Sequence, residues 1–150
     1  MRAMTNEGAF RVITAWTTET VRGAISAQDA RGEAARYFGE LLTGAILVRE
    51  TMAPNLRVQA ILKSATGKGN LVADSHPDGT TRGLVNFGKT GGEIDVGKGA
   101  LLQVMRTLPR GTLHQGVVEV PHLDPEVARA GAISAALMAY MQDSEQVVST

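Results

Sequence analysis

Residues 33–52 read EAARYFGELLTGAILVRETM, and the reading of this stretch decides the architecture. Ala34, Phe38, Leu41, Ala45, Val48 and Met52 recur at three- and four-residue steps, the period of one helical face. Ala35, Leu42 and Ile46 widen the apolar surface beyond half the circumference. Only Glu33, Arg36, Glu40, Thr43 and Glu50 form a polar stripe, with Arg36 and Glu40 one turn apart. Gly39 and Gly44 each cost about 1 kcal/mol in helix propensity, which is tolerable where another element packs close. Pro54 ends the segment. A helix apolar on most sides must be covered on most sides, as between two sheet layers.

Downstream the period changes to two. Leu56, Val58, Ala60 and Leu62 alternate with Arg57, Gln59 and Lys63, the pattern of a half-buried antiparallel strand. Gly67-Lys68-Gly69-Asn70 is a turn, and Leu71–Asp74 and Thr81–Phe87 are short strands joined around Pro77-Asp78-Gly79. A glycine-rich connection, expected to be flexible, runs from Gly88 to Gly99. Strands at Ala100–Leu108 and Leu113–Val120 then turn at Pro109-Arg110-Gly111. Asp124-Pro125-Glu126 opens a helix to about residue 142, with Val127, Ala130, Ser134, Leu137 and Met141 at helical spacing. Upstream, Phe10–Trp16 reads as a strand with Phe10, Val12 and Trp16 on one face. Thr17 and Thr18 are cap candidates for a helix to about Gln28, and Asp29 could cap the long helix. Strand, two helices, five strands and a helix make an α+β domain.

Composition narrows the function classes. The chain has 150 residues, 43% hydrophobic, with 15 basic residues balancing 15 acidic ones. Zero net charge argues against nucleic-acid binding, which rests on Lys and Arg meeting phosphates. No apolar run reaches membrane-spanning length, and Met1–Gly8 lacks the apolar core of a signal peptide. A cytoplasmic protein is expected. There is no cysteine, which removes disulfides, thiolate nucleophiles and every cysteine-based zinc site.

Catalytic and cofactor motifs fail on inspection. Gly92 to Gly99 imitates a phosphate-binding loop through Gly97-Lys98, but Gly99 stands where Ser or Thr should reach magnesium. A strand follows rather than the helix whose amino terminus would receive phosphate. Asp74–Gly79 imitates a calcium loop, yet Val85 occupies the position of its bidentate glutamate. His76, His114 and His122 show no ligand spacing on one element. No local signature raises a Ser-His-Asp arrangement above chance. Met52, Met105, Met138 and Met141 fall at core-like positions. The residues alone indicate no enzyme, no cofactor, no metal and no catalytic residue.

A set of short signatures in fixed order adds to this. Phe10-Arg11-Val12 with Thr17-Thr18, Leu41-Leu42-Thr43-Gly44-Ala45, Leu71-Val72-Ala73-Asp74 with Arg82-Gly83, Val96-Gly97-Lys98-Gly99, Gly116-Val117-Val118 and Ser144-Glu145-Gln146 span nearly the whole chain. Together they resemble the amino-terminal domain of the heat shock protein 33 family, redox-regulated bacterial holdase chaperones. The resemblance implies a single substrate-binding and dimerisation domain over residues 1–150, with a helix buried between β-layers. It implies ATP-independent binding of unfolded or aggregation-prone proteins, and a homodimer. Family members also carry a carboxy-terminal module in which four cysteines hold zinc; here zinc and the redox switch are expected to be lost. The chain stops before the family's linker and zinc module, as a fragment or as a naturally short homologue; the abrupt end after a helix with no capping glycine favours a fragment. Two other functions stay open: an inert domain whose apolar surfaces only make a dimer, and a nucleotide-binding enzyme using Lys98. Client-binding residues are not readable at this level.

Overall fold

A computed structural model describes residues 1–52, 54–88, 91, 93–108 and 110–146. Two short strands, β1 (Arg2–Met4) and β2 (Arg11–Ile13), form an antiparallel ribbon. Helices α1 (Thr18–Ala27) and α2 (Gly32–Met52) follow. Strands β3 (Val58–Lys63), β4 (Asn70–Ser75), β5 (Thr81–Asn86), β6 (Leu101–Thr107) and β7 (Leu113–Glu119) make one antiparallel sheet in the order β5-β4-β3-β6-β7. Helix α3 (Pro125–Asp143) completes the α+β domain.

Helix α2 is covered as its composition demands. Phe38, Leu41, Leu42 and Ala45 are fully buried, and each large apolar side chain so buried contributes about 1.5–3 kcal/mol. One flank lies on the sheet, against β3, β4 and β5. The opposite flank meets α1 and α3, and the carboxy-terminal end meets the β1–β2 ribbon. There Arg2 pairs with Glu50, and Arg11 donates to the Thr51 carbonyl at 3.2 Å. The two β-layers are therefore unequal: a five-stranded sheet on one side, and a two-stranded ribbon with two helices on the other.

Both helix glycines mark close approach. A Cβ on Gly39 would stand 2.8 Å from the Val21 side chain of α1, and one on Gly44 would strike Leu137 of α3. Arg49, outside both the apolar face and the polar stripe, is buried but satisfied: it donates to Ser75 Oγ and the Pro54 carbonyl, each at 3.0 Å.

Several expectations need correction. The ribbon leaves Phe10, Val12 and Trp16 exposed, and β1 falls in a terminus that reads as merely polar. Asp29 does not cap α2; it sits at φ 46° before the helix start and pairs with Arg31 at 3.0 Å. Thr17 holds the cap position of α1, but its hydroxyl bonds Thr43 Oγ1 at 2.9 Å instead of the helix backbone. In α3 the backbone leaves helical geometry at Gly131 (φ −156°). Ala132, Ile133, Ala136, Tyr140 and Met141 face the core and Leu137 packs against it, whereas Val127 and Ser134 are exposed. Met138 is partly exposed and Met105 half-buried, so only Met141 of those described is core filler. The side chains of Met52 and Ala130, like Gly92 and Pro109, lie outside the described residues.

The connection before β6 is pinned. Ile94 and Val96 are buried, the Asp95 carbonyl accepts from Ala65 N–H at 2.8 Å, and Asp95 N–H donates to Ser64 Oγ at 3.0 Å.

Candidate functional site

Strand register divides the sheet into two unlike faces. Val58, Ala60 and Leu62 of β3 stand beside Leu71 and Ala73 of β4, and beside Leu102 and Val104 of β6, with Val118 of β7 beyond. All are buried beneath the helices. Because successive side chains alternate across a strand, the residues between them face outward. One outward row runs across all five strands: Leu84, Val72, Ile61, Gln103 and Val117. Leu84 and Val117 are each 50% exposed, and Ile61 and Val72 half-buried. Leu101, Met105 and Leu113 lie on the same face in neighbouring rows, Leu113 being 69% exposed. No described helix covers this surface, an apolar stripe on an open sheet face of the kind that marks a binding surface.

The next row carries a charged corner: Arg82, Asp74 and Gln59 are adjacent across β5, β4 and β3. Arg57 grips Asp74 through both carboxylate oxygens, at 2.6 and 2.9 Å, while His76 Nε2 lies 3.0 Å away and Arg82 Nε 3.4 Å away. Burial raises the Asp74 pKa, but hydrogen bonds and charge from Arg57 and His76 outweigh it, leaving the carboxyl below its ordinary range. The Asp74–Gly79 stretch is thus a turn whose first residue is spent as an ion-pair hub. Thr80 N–H and hydroxyl donate to Asp78, closing the turn.

A second polar cluster locks α3 onto the sheet. Glu145 receives Arg106 through both oxygens, at 3.1 and 2.9 Å, and the Tyr140 hydroxyl at 2.5 Å. Burial raises the Glu145 pKa, yet the bonds from Arg106 and Tyr140 prevail and hold it low; burial, and then the bond to Glu145, pushes Tyr140 up. Gly116 makes room for this packing, since a Cβ there would lie 2.7 Å from the Tyr140 ring. The Ser144-Glu145 and Gly116 signatures are therefore two sides of one joint. His114 Nε2 faces both Glu145, at 3.3 Å, and Ser144 Oγ, at 3.5 Å. A catalytic relay needs the two ring nitrogens to serve different partners, so this trio does not form one.

Lys98 is exposed, ahead of strand β6 rather than a helix, and Gly97 N–H is already engaged by Asp95 Oδ1 at 2.8 Å. Among the described residues, no three His, Asp or Glu side chains converge as metal ligands, and no helix is long and apolar enough to cross a membrane. Zinc held by four thiolates, which the resemblance implies for the family, has no matching ligands in a chain without cysteine. A cleft of about 610 Å³ between α1, α2 and α3, lined by Val21, Ile25, Leu47, Ile133 and Leu137, is a further apolar surface.

Known proteins share this architecture. The chain is similar to a 33 kDa chaperonin of Thermus thermophilus, 27% identical over 99% of this chain and 45% of that protein. It is 26% identical to the 33 kDa chaperonin of Listeria welshimeri, over 100% of this chain and 52% of that protein. The crystal structure of the 33 kDa chaperonin (heat shock protein 33 homolog) of Thermotoga maritima superposes with a TM-score of 0.70 at 25% identity, over 97% of this chain and 50% of that one. The chain spans about half the length of the curated relatives it matches. The family model described as Hsp33 protein matches residues 1–150, and the chain belongs to the Hsp33 family.

Proposed function

We propose that these 150 residues form the client-holding and dimerisation domain of an ATP-independent holdase chaperone, which binds unfolding polypeptides and keeps them from aggregating. The observation that carries this reading is the apolar row Leu84-Val72-Ile61-Val117, left open on the sheet face turned away from α2. A holdase recognises states that expose apolar surface, so it must offer apolar surface while staying folded itself. The buried inner face supplies the folding energy, and the outer face is free for clients. Holding is not catalysis, and no bond is made or broken. The exposed Val12 of the β1–β2 ribbon, with Phe10 and Trp16 flanking strand β2, supports a homodimer, in which a second copy covers them. Without thiols, holding by this chain is independent of peroxide and of zinc chelators. The reading includes a cytoplasmic setting, and among the described residues no helix is long and apolar enough to cross a membrane.

Light scattering of a thermally unfolding client tests the reading. The chain at equimolar ratio is expected to suppress scattering, with or without peroxide, and the double variant L84D/V117D to lose suppression while keeping its circular dichroism. Full scattering in the presence of the unaltered chain defeats the proposal and leaves an inert structural domain.

A further inference from the structure

We infer that the outer sheet face prefers extended apolar segments carrying an acidic residue at one end, read by Arg82 and Arg57; the inference rests on the client-holding reading above.

The geometry sets the length of the occupant. Five strands spaced about 4.8 Å apart give a row of roughly 19 Å from Leu84 to Val117, which an extended chain covers in about six residues. Gln103 interrupts the row once, so the occupant meets apolar contact at both ends and one polar partner between. The charges set the end preference. Arg82 lies two residues from Leu84 on the same face of β5, at the start of the row. Around it two guanidinium groups and an imidazole share a single carboxylate, Asp74, whose side chain is only 6% exposed and already gripped by Arg57. The Arg82 side chain is 75% exposed and that of Arg57 46% exposed. Among the described residues Asp74 is the one carboxylate within ion-pair reach of both, Asp78 on the adjoining turn being taken up by Thr80, so the two guanidinium groups share one negative charge at this corner. At the opposite end, Glu119 flanks Val117 in the next row and holds Gly99 N–H at 3.1 Å. The face is therefore positive beside Leu84, carries Lys63 midway next to Ile61, and is negative beside Val117, so a segment with a carboxylate at one end is favoured with that end toward Leu84.

Exposed ion pairs contribute a fraction of a kcal/mol each, so the preference is modest and screened by salt. Fluorescence anisotropy with three labelled peptides, identical alternating Val/Ser cores ending in Asp-Asp, Ser-Ser or Lys-Lys, reads it directly. The acidic peptide is expected to bind about fivefold tighter than the lysine peptide at low ionic strength, with the serine peptide between. Arg82→Gln, which keeps the stem of an exposed side chain, is expected to shrink that ratio below about twofold, and Arg82→Glu to invert it. Equal affinities for the three peptides, or a ratio unchanged in Arg82→Gln, overturns the inference while client holding stands. If no peptide binds and scattering is not suppressed, the holdase reading fails as well. If Val117→Asp changes the oligomeric state and leaves peptide binding untouched, the face joins two copies of this chain and the inference is lost.

Discussion

The two faces of the five-stranded sheet are built from the same strands and much the same residue types, yet they live in different solvents. On the inner face Leu62, Leu71, Leu102 and Val104 have no exposure, because α2 lies across β3 and β4 and α3 lies across β6. On the outer face Leu84, Leu113 and Val117 stand in water. Apolar area buried under a helix contributes to folding, whereas the same area left open is available only to a partner. Residue type does not distinguish the two roles; cover does.

The largest effect expected from breaking this contrast comes from the covered side. Phe38→Ala removes the α2 ring that fills the space over Gly83 and is expected to cost about 3–5 kcal/mol, measured as a shift in urea midpoint at constant slope. A loss below about 1 kcal/mol would show that α2 is not the inner cover. Glu145→Gln comes next, at roughly 3 kcal/mol, because it removes the charge paired with Arg106 and sets an amide NH2 donor against Arg106 Nη2 in place of one carboxylate oxygen, on a side chain only 5% exposed. The sign with pH follows from the lowered Glu145 pKa. Its folded value lies below its unfolded value, so its stabilisation is present above the ordinary glutamate range and lost as pH falls through the folded value. The gap between the unaltered chain and the variant should therefore narrow below about pH 4, and a gap constant with pH would contradict an ionised Glu145. Gly116→Ala is expected to cost about 1–2 kcal/mol by pushing the Tyr140 ring and Ser144 off β7, visible as a lower thermal midpoint. Smallest of all, Leu84→Ser and Val117→Ser on the open face should each move stability by about 0.5 kcal/mol or less. A loss of several kcal/mol at either would mean that this face is covered after all.

Legibility followed sequence distance. The apolar circumference of residues 33–52 requires burial on most sides, and the glycines within it report close neighbours, here Val21 and Leu137. Alternation in β3 likewise assigns Val58, Ala60 and Leu62 to one face without reference to any other strand. The connection before β6 reads as flexible because its glycines dominate, although Glu93-Ile94-Asp95-Val96 alternates and both apolar residues are buried. The face of α3 is only partly legible: Leu137 and Met141 pack inward as their spacing suggests, but the many alanines leave little apolar contrast, so Ile133 and Tyr140 are missed and exposed Val127 and Ser134 are taken in. Short exposed strands such as β1 leave no periodic trace at all. The candidate surface lay further still from reach. Arg57, Asp74 and Arg82 are separated along the chain, and an outward row drawn from five strands has no sequence pattern of its own.

Local sequence is enough to place the three helices and the five strands of the large sheet, to require that α2 be buried, to rule out thiol chemistry, and to reveal ordered signatures that resemble one family. Those properties depend on local periodicity, composition and motif order, all carried by neighbours in the chain. Which sheet face is covered, the role of Asp74 as an ion-pair hub, and the joint that Glu145 makes between α3 and β6 across 39 residues of sequence emerge only in three dimensions. Register and packing bring distant residues together, and a buried charge or an open apolar row exists only once they have met.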